Sequence, residues 1–463
     1  MNKKCLIFGL LIILMLSAVS PVSIGYSLSN TLDEENIFYV GGSGEGNYSS
    51  IQDAIDAANA GDTIYVYNNS SPYCEVLTID KKITLIGEDR DSTIIDGCNS
   101  NDDGITINVE NVTIESLTVK NFRSAKPYSP WDQAGIKTYS SNVRVTNCKL
   151  DSNRMGVEVY TGAYNITIKN NIFLSCSIML ANYFKPGQMY SDVTLLDFIH
   201  NIECNTVNGL PLYYITDTKD YVVPSDAGQI ILVNCTNAIL KDFELMDNGF
   251  PFFLAYCSGC LLENLTIHDT YGEGLLIETS DSIIQNNTIY NTFKALCLED
   301  GSNNNIIRYN TVYDNLVGLS IYTDSHNNSV YKNEAYNNLH AGMEIVTNHG
   351  GVQRDNNISE NSFYNNKIGI HLYTNSIYNL IENNDIKNNV FGILLQEKSC
   401  GNKILNNNLQ RNLISSMFLK CGRNTWNGNY WKRPRVLPKP IFGLGVLGMP
   451  RVYYDMHPSL KLN

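Results

Sequence analysis

Between Asn286 and Asn412 six segments align under one another: NTIYN, NTVYDN, NEAYNN, NSFYNN, NDIKNN and NNLQRN. Their leading asparagines, Asn287, Asn310, Asn333, Asn361, Asn384 and Asn407, recur at steps of 23, 23, 28, 23 and 23 residues. Between them lie short apolar stretches that open on glycine: Gly318 (GLSIYT), Gly342 (GMEIVT), Gly369 (GIHLYT) and Gly392 (GILLQE), with Ala295 (ALCLED) in the same place one unit earlier. A fixed period of this length marks a solenoid, in which each unit buries its apolar face only by stacking on its neighbours. The stretches alternate apolar and polar residues over four or five positions, which is the period of a strand. Helical repeats need longer units with a 3.6-residue pattern, and none is present. Asparagine suits the bends between strands, because it tolerates left-handed backbone and bonds local amides. Identical side chains in successive coils can also bond along the axis as an amide ladder. The reading is an all-β chain, a right-handed parallel β-helix. It predicts strands GLSIY, GMEIV, GIHLY and GILLQ in register, with Ile321, Ile345, Leu372 and Leu395 forming one inward column. It also predicts that Asn310, Asn333, Asn361 and Asn384 form a buried ladder at one corner.

Length alone would allow the 463 residues two or three domains, but the repeat argues for one elongated body of about fifteen coils, each rising about 4.8 Å. A net charge of −13 disfavours nucleic acid as a partner. Residues 1–25 read as a secretory signal, with Lys3 and Lys4 ahead of the apolar run Leu6–Val19. Once that segment is removed, no other apolar run is long enough to span a membrane. Residues 26–36 form a polar leader and 37–62 an N-terminal cap. In that cap Ser50 and Asp53 make a capping box for a short helix whose face is Ile51, Ala54, Ile55 and Ala58. Coils occupy 63–431. The tail 432–463 holds five of the 13 prolines and reads as an irregular C-terminal cap. The glycine-rich GGSGEG lacks the lysine of a phosphate-binding loop, which excludes nucleotide chemistry.

The segments YVGGSGEGNYSSIQDAIDAANAGDTIYVY, AGQIILVNCTNAIL and NTWNGNYW, together with the coils, resemble the NosD-like and carbohydrate-binding/sugar-hydrolase families over about residues 37–431. Those families share the pectin-lyase-like fold. The resemblance implies a secreted or cell-surface β-helix with carbohydrate as partner. It does not choose a reaction, since the fold hosts lyases, hydrolases, epimerases and plain binding proteins. The NosD-like family is nominally copper-binding, but the seven histidines here are scattered with no HxH or MxxM pair, so copper is not carried over and no cofactor is expected. Ca²⁺ would enter only with a lyase's acids.

Three insertions interrupt the coil spacing: 122–133, 183–191 and 216–228. Solenoid insertions collect on one face, which is often the binding face. These carry Tyr128, Trp131, Tyr183 and Tyr190, flat amphipathic side chains suited to stacking on sugar rings. Just beyond them lies HDTYGEG, whose His268, Asp269 and Glu273, with Asp242 nearby, are the candidate catalytic groups; Lys241 would meet a uronate. Carboxylates on adjacent coils can stand about 5–10 Å apart, as glycoside hydrolysis requires. Asp102 and Asp103 look like a similar pair but precede a glycine, where aspartate caps turns. Spacings of 24 residues (Cys74, Cys98) and 28 residues (Cys148, Cys176, Cys204) place these cysteines on neighbouring coils, as disulfides or as buried thiols. The leading functional expectation is carbohydrate or surface-polysaccharide binding. The alternatives are a lyase, hydrolase or epimerase using the middle-coil acids, and a purely structural envelope protein.

Overall fold

The computed structural model describes residues 36–123, 133–182, 193–347 and 351–463. The expected signal segment and leader lie outside these residues, as do Tyr128, Trp131, Tyr183 and Tyr190. From Asn36 onward the described chain winds as a parallel β-solenoid of about 17 turns. Each turn in the repeat region holds three strands, one on each of three stacked sheets. The long strands, such as Val317–Tyr322, Ala341–Val346, Ile368–Tyr373 and Phe391–Gln396, are the glycine-led stretches. Their register pairs Ile321 with Ile345, Ile345 with Leu372 and Leu372 with Leu395, and all four are fully buried. The glycines sit where coils come closest: a Cβ on Gly318 would lie 2.5 Å from the carbonyl oxygen of Gly342.

The asparagine segments, read as bends, also contain strands. Thr311–Tyr313 lies inside NTVYDN and pairs with Glu334–Tyr336. The left-handed residue is not the ladder asparagine but the one before it. Tyr309, Lys332, Glu360 and Asn383 take φ of 54–57° ahead of Asn310, Asn333, Asn361 and Asn384. That arrangement aims the asparagine side chain inward. Each Oδ1 accepts the backbone N–H and side-chain N–H of the asparagine one coil earlier, as Asn333 does from Asn310 at 3.0 and 2.9 Å. Each Nδ2 then caps a carbonyl of the preceding coil, Asn333 reaching Ile307 at 2.9 Å. Two further ladders stand at the other corners. One runs through Asn305, Asn328, Asn356, Asn379, Asn402 and Asn424. The other runs through Asn315, Asn338, Asn366, Asn389 and Asn412. The three ladders give peptide groups at the turns partners inside the wall, such as the Asn310 amide and the Ile307 carbonyl.

At the N-terminal end, helix Ile51–Ala57 buries Ile51, Ala54 and Ile55. Ser50 Oγ accepts from Asp53 N at 3.3 Å, and the Glu75 carboxylate takes the free amides of Ile51 and Gln52 at 3.0 Å. The C-terminal tail is regular where its prolines predicted irregularity. Lys439–Gly445 and Pro450–Asp455 form an antiparallel hairpin, each arm parallel to a strand of the last coil. Antiparallel pairing lets Pro440 and Pro450 sit where a missing N–H is tolerated. Buried Asp455 ends one ladder by accepting from Asn429 N at 3.0 Å and Trp431 Nε1 at 2.9 Å. Cys74 and Cys98 are disulfide-bonded, while Cys148 and Cys176 are buried thiols and Cys204 is an exposed one.

Candidate functional site

The stack of long strands is broken once. Leu77–Ile79, Ile105–Ile107, Ala134–Thr138, Met155–Tyr160 and Ile178–Asn182 form one sheet, and a second begins at Leu210–Thr216 and Gln229–Val233. Among the described residues, no strand bridges the two at Ile178. Instead the buried Gln229 side chain acts as a surrogate peptide: Oε1 accepts Ile178 N–H at 3.1 Å, and Nε2 donates to the carbonyls of Ile178 and Phe250 at 2.7 and 3.0 Å. Side chains from both sides of this break line a cavity of about 260 Å³. One wall is Arg154, Met155, Glu158 and Met179–Asn182; the other is Phe250, Tyr271, Glu273, Phe293, Lys294 and Tyr322.

Charged side chains in and behind its walls pair in register. Lys137 and Glu158 face each other on adjacent strands, as do Glu273 and Lys294. Lys137, 1% exposed, holds Asp103 at 2.7 Å and Glu158 at 3.2 Å. Lys294 holds Glu273 at 3.1 Å and lies 4.1 Å above the Tyr322 ring. Burial alone would lower both lysines, but the carboxylates facing them override it and hold both well above the usual ammonium range. They are fixed cations, not proton acceptors. Burial pushes the Glu158 carboxyl up against the opposing pull of Lys137. Asp103 also accepts the amides of Gln133 and Ala134 at 3.0 and 2.8 Å, so it caps a turn and pairs a lysine at once. Arg123 bonds the Tyr271 hydroxyl and stacks 5.0 Å from its ring.

Of the described residues singled out from sequence as catalytic or binding groups, only Glu273 lines the cavity. His268 projects from Thr266–His268 on another sheet, bonded to Asp269 at 2.7 Å and Glu244 at 2.9 Å. Its ring begins an axial stack with Tyr290, Tyr313, Tyr336 and Tyr364, at centroid spacings of 4.8–5.1 Å. Asp242 and Asp269 occupy left-handed bends at φ 60° and 54° and accept from Asn264 and Asn291. Lys241 pairs with Glu263 at 2.8 Å. The expected grouping separates because neighbours in sequence fall on different sheets of one coil. The stretch 216–228 also leaves the expected face: it bridges the next coil at Lys219–Thr236 and Val222–Ile239, so it is solenoid wall. Gln133 and Asn182, which adjoin the other two insertions, both line the cavity. Lys137, Glu158 and Lys294 gave little sequence signal beyond being charged residues in otherwise apolar strands, and Asp103 stood out only as half of a pair read as a turn cap.

A search of curated proteins finds no match. Among solved structures the fold is similar to the A-module of mannuronan C-5 epimerase AlgE6 of Azotobacter vinelandii, at 17% identity and TM-score 0.40, covering 83% of this chain and 95% of that one. It is also similar to an exopolygalacturonase of Thermotoga maritima, at 8% identity and TM-score 0.37, covering 85% and 87%. The NosD family model, described as a periplasmic copper-binding protein, matches residues 55–220. Among the described residues, the groups of three His, Cys, Asp or Glu side chains with converging ligand atoms all lie beyond that segment. The right handed beta helix region model matches 199–335, 251–409 and 325–431, together about half of the chain. With its coils stacked in register and that match across them, the chain belongs to the right-handed β-helix family.

Proposed function

We propose that the protein is an extracytoplasmic polysaccharide-binding β-helix whose binding site is the cavity at the break in the long-strand stack. One observation carries this reading: the cavity joins aromatic walls (Phe250, Tyr271, Phe293, Tyr322) to buried, fixed cations and carboxylates. Sugar rings present apolar faces and hydroxyl rims, which such a mixture matches. Arg154 and Lys294 favour a chain bearing uronate or other acidic groups. The Cys74–Cys98 disulfide supports an oxidising compartment, in agreement with the periplasmic description of the NosD model.

A second reading, acid–base turnover of the bound glycan, is favoured by Glu158 and Glu273 lining the same cavity. Paired carboxyls in one cavity are the side chains that acid–base chemistry on a glycan uses. Two variants separate the readings. Tyr271→Ala should weaken binding of acidic oligosaccharides about tenfold or more under either reading. Glu273→Gln should leave a binding protein without turnover to lose, whereas in an enzyme it should cut the rate and spare affinity. Unchanged affinity in Tyr271→Ala would remove the cavity as the site.

A further inference from the structure

On the long-strand sheet beyond the cavity, Glu344 and His371 stand opposite each other in register on Ala341–Val346 and Ile368–Tyr373, and His340 immediately precedes the first of these strands. Glu344 Oε1 faces both imidazoles, 3.3 Å from His340 Nε2 and 3.6 Å from His371 Nδ1. Glu344 and His371 are more than nine-tenths buried, while His340 is about one-third exposed.

His371 Nε2 meets Gln396 Oε1 at 2.7 Å, and an amide oxygen only accepts, so Nε2 carries the ring's proton. In the neutral imidazole Nδ1 is then a bare lone pair. It is buried without a hydrogen-bond partner and is aimed at a carboxylate oxygen that also has only lone pairs to offer. Two imidazoles and a carboxylate whose ligand atoms converge within 4.8 Å of one another make a cation-ligating set.

We propose that His340, Glu344 and His371 form a binding site for a divalent first-row transition-metal ion. The donor set, two imidazoles and one carboxylate, suits such ions and leaves a coordination position open. Ligands about 2.0–2.1 Å from a tetrahedral zinc stand roughly 3.3–3.4 Å apart, close to the 3.3 and 3.6 Å found here. The supporting contacts are also those a metal site uses. Gln396 fixes the His371 tautomer, and the Tyr322 hydroxyl donates to Glu344 Oε2 at 3.0 Å, turning Oε1 toward the histidines. Partly exposed His340 gives the ion a way in. The other converging group, Glu273, Cys297 and Glu299, differs in that the Lys294 ammonium already sits 3.1 Å from Glu273. Tyr322 connects the two places, since it both lines the cavity and bonds Glu344. An ion held here would stand one side chain, Tyr322, away from the glycan site. The metal reading does not depend on the glycan reading.

The test uses the purified full chain, stripped with chelator, titrated with Zn²⁺ by calorimetry and with Co²⁺ by visible absorption. One equivalent of each should bind, with Co²⁺ giving the d–d bands of a low-coordinate nitrogen–oxygen site. His371→Ala and Glu344→Gln should each weaken binding at least about 100-fold, and Gln396→Ala about 10–100-fold. His268→Ala, in the other histidine cluster, should bind as the parent does. Circular dichroism of the stripped variants monitors folding. No saturable binding by the parent chain, or unchanged affinity in a folded His371→Ala variant, would overturn the assignment. Failure of the parent chain to bind acidic oligosaccharide, with metal binding intact, would overturn the glycan site and leave the metal assignment standing.

Discussion

Replacing Asn333 with alanine probes the corner ladders at a point where every bond is defined. Asn333 Oδ1 accepts from Asn310 N and Asn310 Nδ2, and Asn333 Nδ2 donates to Ile307 O, Tyr331 O and Asn361 Oδ1. Asn333→Ala deprives the Asn310 backbone amide, the Asn310 side-chain amide and the Ile307 carbonyl of this partner inside the wall. Each buried group left unpaired costs about 1–3 kcal/mol. The three share one corner and relax together, so the expected loss is about 3–5 kcal/mol, below the full sum. Coils are stabilised chiefly by their neighbours, so the damage should be local. Hydrogen exchange followed by mass spectrometry should show faster exchange in peptides spanning Asn310, Asn333 and Asn361, with peptides near the N-terminal helix unchanged. Unaltered protection around Asn310 and Asn333 would refute the ladder as a source of stability.

Gln229→Ala should expose the break in the stack: Ile178 N–H and C=O lose their surrogate partner, at a cost of about 2–4 kcal/mol. A thermal melt unchanged from the parent would contradict this. His200 supplies a pH dependence. Burial lowers its pKa to about 4, against the raising effects of a bond from Nε2 to the Asp197 carbonyl at 3.0 Å and of the Asp197 charge. The unfolded chain, with an ordinary histidine near pH 6.5, binds more protons between about pH 4 and 6.5, so stability rises with pH across that window and is lost on acidification. The share owed to His200 is about 1–3 kcal/mol. His200→Phe should flatten the dependence of urea midpoints on pH between 4 and 6.5, and an unchanged slope would contradict the assignment.

The fold was legible because its period was written in residues whose spacing is dictated by the coil. The Asn310 column and the Ile321–Leu395 column could both be placed from sequence. The other two ladders were also present in the text, since Asn305 and Asn328 precede, and Asn315 and Asn338 trail, Asn310 and Asn333 by five residues. They were missed because a segment read as one bend holds a three-residue strand with a bend at each end. The cavity was far less legible. It forms where the stack breaks, and Glu158 and Glu273 line it from opposite sides of that break. The metal-site histidines, His340 and His371, lie 31 residues apart, and only strand register brings them together. His268, Asp269 and Asp242 misled because adjacency in sequence is poor evidence for a shared face when a coil turns three times.

The central claim is that glycan binds at the break in the long-strand stack, and the most direct measurement is a crystal structure of the full chain with an acidic oligosaccharide. Sugar density should lie between Arg154 and Glu158 on one side and Tyr271, Lys294 and Tyr322 on the other, with a ring face against Tyr271. Sugar bound instead along the Tyr290–Tyr364 stack, with the cavity holding only water, would contradict the account.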